Sequence, residues 1–467
     1  MWKFKSGNLK NECCNIRSLL IKKDEEFFSG LGKKIAREGI MFRFVTQRFL
    51  IALAVVFLFL PISSNEVNGA GFQLFNELSA RGTGLGAAMT SLSDTPEMAW
   101  FNPAATASFS KTRLLAGMAL VMPSTELRTP NGDDPDMKNM AYPIPYFYAA
   151  TTLRDKIGLG LSINAPYGLT TEWDRDWPGR FFAVKTELRT VFFTPSISYR
   201  VNPYISLGVG AQIVKTTAEL TQAIPSRTVP VAPDVSITTP EVRTELDGED
   251  TSAGYILALQ LTPHKHFRFG AVFRSEVSLD IEGKAKYSEN VSLGGRELFP
   301  TSDAWLVVRL PATLSLGLST TYFKNWLLTF DYLWTWWSSY DELAIHYEKA
   351  PGTGVPGTIT KPKNWSDDYA LRFGAEYTVN EALKLRGSYV YDRSPISDTF
   401  RDAILPTNDR HLFSIGFGYN LKGIQIDGAY TYLVMEDCKP SQLVTPGLVG
   451  TYEGGAHIVN FSVGYSF

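Results

Sequence analysis

The chain has 467 residues, of which 20% are charged and 13% are aromatic, and its formal net charge is −2. A mean hydropathy of −0.07 excludes a bundle of transmembrane helices. The small negative charge excludes a nucleic-acid-binding protein, which would need a basic surface. The 38 glycines and the abundant Tyr, Phe and Trp favour β structure over a helical bundle.

The beginning of the chain carries the features of an export signal. The apolar run FLIALAVVFLFL at 49–60 is preceded by two arginines and followed by a proline and a polar stretch. It is shorter than the roughly 20 residues that span a bilayer, which argues against an uncleaved anchor helix. We therefore interpret residues 41–69 as a secretory signal peptide that is cleaved before Ala70, and residues 1–40 as an upstream extension.

The stretch ARGTGLGAAMTS at 80–91 contains the glycine spacing of a dinucleotide-binding loop. That fingerprint requires a strand before the glycines, a helix after them and an acidic residue about 20 positions further on. Asp94 comes too early, and the segment follows an export signal. We therefore predict no cofactor, and interpret Gly82, Gly84 and Gly86 as points where the backbone closely approaches a wall.

From about residue 111 onwards, apolar and polar residues alternate with period two. The C-terminal stretch HIVNFSVGYSF, for example, places its apolar side chains on one face and its small polar ones on the other. Each such segment is predicted to be a strand with two different faces. We count fourteen, at 111–124, 142–153, 156–168, 188–201, 204–220, 250–262, 266–284, 303–320, 324–347, 366–379, 382–395, 409–420, 424–437 and 456–467.

The connections between these strands alternate between short turns, such as 202–203, and long polar loops, such as 396–408. Outer-membrane β-barrels have this arrangement, with short periplasmic turns and long extracellular loops. A soluble β-sandwich, the alternative, gives no reason for such regular segregation. We therefore predict an all-β fold, a 14-stranded antiparallel transmembrane β-barrel over residues 111–467, in the outer membrane of a Gram-negative bacterium.

Aromatic clusters at 142–148 and 333–340 fit the girdles that anchor a barrel in the bilayer. The last strand ends at Phe467, and a terminal aromatic residue is common in barrels inserted into the outer membrane. We expect contacts with the lipid bilayer and lipopolysaccharide, recognition of Phe467 by the barrel-assembly machinery, and a monomer.

Residues 70–110 are too apolar for a disordered tail and have no sheet of their own to join. The lumen of a fourteen-stranded barrel is too wide for its own side chains to fill. We therefore predict that this segment is a plug inside the lumen. Charged residues on the polar strand faces are expected to line the lumen, mostly as mutual pairs: Arg268, Arg274, Glu276, Asp280, Asp331, Arg372, Glu376, Lys384, Arg386 and Asp427.

The segment AGFQLFNELSARGTGLGAAMTSLSDTPEMAWFNPAA closely resembles the mature N-terminus of outer-membrane long-chain fatty-acid transporters of the FadL type. Relatives of that family, of the TodX type, import aromatic hydrocarbons. Further similar stretches include PYGLTTEWD (166–174), SYRVNPYISLGVG (198–210), FRSEVSLDIEG (273–283), DDYALRFGAEY (367–377), YDRSPISD (391–398) and LPTNDRH (405–411).

The resemblance implies a fourteen-stranded barrel with an N-terminal hatch and a passive mechanism. A hydrophobic molecule would be captured in a groove between the loops at 221–249 and 285–302, and a shift of the hatch would open its route. The implied hatch residues are Ala70, Gly71, Phe72, Asn102, Pro103 and Ala104. A kink in the third strand would give a lateral exit into the membrane, at Asn164, Ala165, Pro166, Tyr167 and Gly168. A proline at the end of a strand with no portal is the alternative for this kink.

One departure from the family concerns the substrate headgroup. In the resemblance, Gln222 stands where the family has a carboxylate-binding arginine, while Lys361 or Lys363 matches the second basic residue. The loss of one cation weakens the expectation of a fatty acid and favours a neutral hydrocarbon or another uncharged lipophile. The sequence contains no catalytic or metal-binding motif. We therefore expect a passive channel for long-chain fatty acids or aromatic hydrocarbons rather than an enzyme, with a general porin for small polar solutes as the alternative.

Overall fold

The structure is a computed structural model that describes residues 71–232, 235–293, 296–352 and 357–467. The predicted extension at 1–40, the predicted signal peptide at 41–69 and the hatch residue Ala70 lie outside the described residues. Within the described ranges, no helix has the length and apolar character required to cross a membrane.

Fourteen antiparallel strands form one closed barrel. Each strand pairs with the next along the chain, and β14 returns to pair with β1 from Arg113↔Ser466 to Arg128↔Thr451. Five strands are interrupted and are given as two segments. The strands are β1 (Arg113–Arg128), β2 (Tyr142–Leu153), β3 (Ile157–Asn164 and Gly168–Glu172), β4 (Lys185–Asn202), β5 (Ile205–Ile224), β6 (Val242–His264), β7 (Phe267–Arg274 and Val277–Tyr287), β8 (Ser302–Leu310 and Thr313–Thr320), β9 (Trp326–Thr335 and Glu342–Tyr347), β10 (Thr358–Pro362 and Asp368–Thr378), β11 (Leu383–Asp392), β12 (Arg410–Leu421), β13 (Ile424–Cys438) and β14 (Thr451–Ser466).

The predicted fold and the number of strands are confirmed, and the differences concern strand ends. β6 begins at Val242 rather than 250, because it continues to pair with β5 as far as Ile224. β14 begins at Thr451 rather than 456. These extensions lie at the end of the barrel with the long connections, which is the extracellular end. The long loops also contain two short hairpins, Thr228–Ala232 with Val235–Thr238, and Ser292–Leu293 with Arg296–Glu297.

The membrane-spanning part of the wall is apolar outside and polar inside, as the alternation predicts. Ile197, Leu257 and Phe461 are about half exposed on the outer face. The aromatic cluster at 142–148, however, contributes mainly to the interior, because Tyr146 and Tyr148 donate hydrogen bonds towards the lumen and are buried.

The polarity of the two faces is inverted at the extracellular end. In the second segment of β7, Val277, Leu279 and Ile281 are buried inside, while the intervening side chains are exposed. The prediction that Glu276 and Asp280 line the lumen is therefore wrong, since both are exposed. The cause is one extra residue in β7: between Arg274↔Ile256 and Glu282↔Glu249 it advances eight residues while β6 advances seven, so the alternation changes phase at the interruption.

Residues 71–110, here called the N-terminal segment, form short helical turns inside the ring of strands. They are Phe75–Glu77 and Pro103–Ser108, both 3-10 helical, and α1 (Ala80–Gly84) and α2 (Met98–Phe101). The Ser79 hydroxyl caps α1 by accepting a hydrogen bond from the Gly82 N–H at 2.8 Å. The turns are short because this segment pairs with no strand over more than an isolated bridge and its backbone changes direction along the inner wall of the barrel.

Glycines in the wall allow the N-terminal segment to approach closely. A methyl group on Gly270 would collide with the Thr90 carbonyl, and one on Gly374 with the Leu85 carbonyl. Within the segment, Gly86 (φ +62°) lies against Val390 and Ser388 of the wall. Gly84 lies against Arg386 and Gly416, whereas the nearest neighbour of Gly82 is Ser79 of the segment itself.

Candidate functional site

The extracellular half of the barrel encloses an apolar cavity. Its wall comes from six strands, the N-terminal segment and the connection between β11 and β12. The lining side chains include Phe72, Leu169, Leu188, Leu220, Leu306, Val308, Trp365 and Ile404, with Lys363 and Glu187 as the charged members. Glu187 contacts Lys185 and Arg189, so its charge is compensated outside the cavity.

Phe72 lies in a cluster of aromatic rings at the inner end of this cavity. Its ring centroid is 4.9 Å from that of Trp337, 5.8 Å from that of Tyr340 and 5.8 Å from that of Trp365. The preceding Gly71 has φ +50° and lies so close to Trp337 that a side chain would not fit. The first described residues of the segment are therefore held by aromatic packing.

The structure brings two of the predicted headgroup residues into direct contact. The Lys361 ammonium donates to the Gln222 side-chain oxygen at 2.8 Å and to the Phe182 carbonyl at 3.3 Å. Both side chains line a second cavity next to the first, with Leu246, Ile345 and Tyr347 in its wall. Burial, together with the positive charge of Lys363, lowers the pKa of Lys361 to about 8.

Lys363 lies at the first cavity and already has a partner. It is 2% exposed and donates to the Asp402 carboxylate at 2.6 Å. Burial by itself would lower the pKa of Lys363, but the charge and hydrogen bond of Asp402, together with Tyr340, raise this pKa above its ordinary value. The two predicted lysines therefore differ, because Lys363 is neutralised by a carboxylate and Lys361 bonds to neutral oxygens.

β3 is interrupted at the residues predicted to form a portal. Asn164 is opposite Phe192 of β4 and Gly168 is opposite Arg189, so β3 uses one residue more than its partner between these points. On its other side, pairing with β2 ends at Ile163↔Phe147, although β2 continues outward to Tyr142. The wall thus loses its backbone ladder between β2 and the second segment of β3.

The N-terminal segment covers this interruption from inside. The Leu74 N–H donates to the Pro166 carbonyl at 2.8 Å, and the Gly168 N–H donates to the Phe72 carbonyl at 2.9 Å. Gln73 and Tyr167 form a bridge of the antiparallel type. Residues 72–74 therefore act as a short strand that supplies the partners missing from the wall.

Asn102 is the point where the N-terminal segment is tied to β6. Its side-chain nitrogen donates to the Thr90 carbonyl at 2.7 Å and to the Gln260 side-chain oxygen at 2.8 Å, and its oxygen accepts from the Ala104 N–H at 3.1 Å. Pro103 begins the following 3-10 turn, where its missing N–H costs nothing. Asn102 is fully buried.

Replacing Asn102 with alanine is expected to loosen the N-terminal segment and raise leak conductance in planar bilayers. The change leaves a buried carbonyl and a buried amide without partners, at a cost of about 1–3 kcal/mol each. Asn380→Ala, in the exposed turn between β10 and β11, removes an asparagine whose oxygen likewise accepts backbone N–H groups. Equal leak in the two variants would contradict the role of Asn102.

A second attachment is ionic and lies towards the periplasmic end. Arg81 of the segment contacts Glu376 at 3.2 Å and Asp94 at 2.9 Å. Glu376 also contacts Arg386 at 2.8 Å, and Arg386 contacts Asp427 at 2.5 Å. The predicted pairing of lumen charges therefore holds for these wall residues, while Arg81, which the sequence did not single out, joins them to the segment.

Other lumen charges on the predicted list have neutral partners. Asp331 accepts from the Thr90 N–H at 2.9 Å, and Arg274 donates to the Trp100 carbonyl at 2.6 Å. The Arg274 and Arg372 guanidinium groups each lie 5.4 Å from the Phe75 ring centroid. These wall residues hold the N-terminal segment rather than one another.

Sequence reasoning also missed Asp402 and the buried tip that follows it. Ala403, Ile404 and Leu405 are at most 6% exposed. The signal was three consecutive apolar residues in a connection that is otherwise polar. Without the fold, nothing indicated that this connection turns inward.

Fold and site together define an outer-membrane β-barrel transport protein with an apolar interior cavity. Residues 61–467 match the family described as outer membrane protein transport protein (OMPP1/FadL/TodX), and the chain belongs to this family.

Similar proteins agree with this assignment. The chain is 26% identical to a long-chain fatty acid transport protein of Escherichia coli O6:H1, over 80% of this chain and 89% of that protein. It is 27% identical to a 47 kDa outer membrane protein of Pasteurella multocida, over 87% and 96%. Among solved structures, a Pseudomonas aeruginosa FadL homologue superposes with a TM-score of 0.74 at 21% identity, covering 85% of this chain and all of that one. The toluene transporter TodX of P. putida gives 0.67 at 17% identity, covering 84% and 99%; these two structures support the fold.

Proposed function

We propose that this protein moves hydrophobic molecules passively across the outer membrane, with long-chain fatty acids as its substrate class. The main observation in support is that Lys361 lines the second cavity, next to the apolar first cavity. The hydrogen bonds of this cation go to neutral oxygens. A carboxylate that leaves water for an apolar site needs such a cationic partner. The fatty-acid transport named for the Escherichia coli relative supports the same substrate class.

In the proposed route, a substrate first lands between the connections at 221–249 and 285–302. Val242, Leu298 and Phe299 form a small apolar cluster where these connections meet. The acyl chain then enters the cavity and the carboxylate meets Lys361. Displacement of Phe72 from its aromatic cluster would make the N-terminal segment act as a hatch, and the interruption at 164–168 would become a lateral exit.

The aromatic cluster supports a second candidate, an aromatic hydrocarbon. Flat rings pack favourably edge-to-face, as Trp337 and Tyr340 already do against Phe72, and Trp365 adds a tilted ring to the same cluster. The alternative of a general porin has less support, because the N-terminal segment contacts the wall through buried hydrogen bonds and ion pairs. A large, steady conductance in a planar bilayer would favour the porin.

The test is uptake of radiolabelled oleate and of radiolabelled toluene by cells with and without the gene. Oleate uptake that depends on the gene is the expected result. Toluene uptake alone would shift the substrate class to neutral hydrocarbons. Uptake of neither would overturn the proposal.

A further inference from the structure

The connection between β11 and β12, residues 393–409, enters the barrel from the extracellular side; we call it the strap. Its tip residues Ile404 and Leu405 are buried. Ile404 lines both cavities described above, and Leu405 lines the first. The strap tip is therefore part of the partition between the two cavities.

Few polar contacts hold the strap tip in this position. The Asp402 carboxylate accepts from Lys363, and the Ile404 carbonyl accepts from the Thr171 hydroxyl at 2.7 Å. Arg401 is 2% exposed and donates to the Ile396 and Thr407 carbonyls, at 3.2 and 3.0 Å, which folds the strap onto itself. The Asp402–Lys363 ion pair is thus the charged link between strap and wall.

The charges at this point do not balance. Lys361 and Lys363 supply two positive charges, and within the described ranges Asp402 is the one carboxylate in contact with either ammonium. Glu187 faces the first cavity but contacts Lys185 at 2.8 Å and Arg189 at 2.7 Å. Among the described residues Lys361 thus has no carboxylate partner, and a headgroup that bonds to it would lie beside the Asp402–Lys363 pair.

We propose that Asp402 occupies the position of a substrate carboxylate at Lys363, and that a fatty-acid headgroup, after its first contact with Lys361, exchanges with Asp402, frees the strap and joins the two cavities. The inference rests on the proposed function for its substrate class. It adds that binding of the headgroup itself opens the space that the acyl chain then occupies.

The exchange avoids the main energetic obstacle to opening a buried ion pair. Removing one partner of such a pair leaves an unpaired buried charge, which is strongly destabilising. Here one carboxylate replaces another, so Lys363 stays paired, and Asp402, whose side chain is 13% exposed, moves into water. A neutral hydrocarbon cannot make this exchange, so the strap would favour acids over hydrocarbons.

The test compares binding of decanoate and decan-1-ol, which share an acyl chain length, to the purified mature protein in a neutral detergent. Asp402→Asn removes the competing charge, so we expect decanoate affinity to rise about tenfold, as loss of one charge-assisted contact predicts. Decanol affinity should not change. In a Lys363→Gln background the gain from Asp402→Asn should vanish, because the two residues act as a pair.

Asp398→Asn is the matched control, since Asp398 is on the same strap and contacts Arg401 but its side chain is 92% exposed. A second measurement uses the unmodified protein: decanoate, and not decanol, should increase hydrogen exchange in the strap. Decanoate that binds without either effect would overturn the exchange and leave the proposed function standing. Absence of binding by both probes would overturn both proposals.

Discussion

Deleting Ala165 and replacing Pro166 with valine is expected to reduce substrate uptake by more than about tenfold, because a closed wall gives a hydrophobic molecule no exit into the bilayer. β3 uses one residue more than β4 between Asn164 and Gly168, so the deletion restores one-for-one pairing. Valine supplies the N–H that proline lacks. Uptake of radiolabelled oleate by cells that carry the variant as their only transporter of this family provides the measurement.

Deletion of Gly132 is the control, because it shortens an exposed turn where a side chain added at this glycine would meet nothing within 4 Å. Both variants should reach the outer membrane and resist unfolding in cold detergent, as a folded barrel does. If the deletion at β3 preserves both folding and full uptake, the interruption is not the exit.

Lys361→Gln is expected to weaken decanoate binding about 10- to 100-fold, which corresponds to loss of a hydrogen bond to a charged group. Decanol binding should not change, because an alcohol does not need the cation. Lys286→Gln is the matched control, since Lys286 is an exposed lysine on the outer surface that contacts Asp247 at 2.8 Å. Equal losses for the acid and the alcohol would show that Lys361 has only a structural role.

The same site has a predicted pH dependence. Burial lowers the pKa of Lys361 to about 8, so the ammonium is charged at pH 7 and loses its proton as the pH rises. A bound carboxylate favours the charged form, so decanoate affinity should be constant below pH 7 and fall by up to about tenfold per pH unit above 8. Lys361→Arg should remove this fall, because arginine stays charged throughout. A similar decline for decanol would indicate a general loss of structure instead.

The barrel was predictable because the pattern that specifies it lies within each strand and does not depend on contacts between distant residues. Each strand that crosses the bilayer must alternate between lipid and lumen, and this alternation is visible in a single sequence. Pro166 marked the interruption of β3 for an equally local reason, since a proline cannot donate to the ladder. The contact between Gln222 and Lys361 was foreseen only through the resemblance to a family.

The remaining features depend on tertiary structure. Glu276 and Asp280 follow the same period as Arg274, and only the pairing with β6 reveals the extra residue that turns them outwards. The Asp402–Lys363 pair joins residues 39 positions apart through a connection whose path no local pattern fixes. Arg81 sits in a short helix whose sequence does not indicate that its partner is Glu376.

The N-terminal segment also constrains how the protein can be assembled. Asn460 of the last strand donates to the Glu77 carbonyl at 3.0 Å and to the Thr83 hydroxyl at 2.9 Å, across 383 and 377 positions of chain. Phe467 exchanges backbone hydrogen bonds with Thr112, where the segment joins the first strand. The N-terminal segment and the last strand therefore meet at one seam. These contacts join residues far apart in the sequence, so the segment can complete them only after the last strand has taken its place in the sheet.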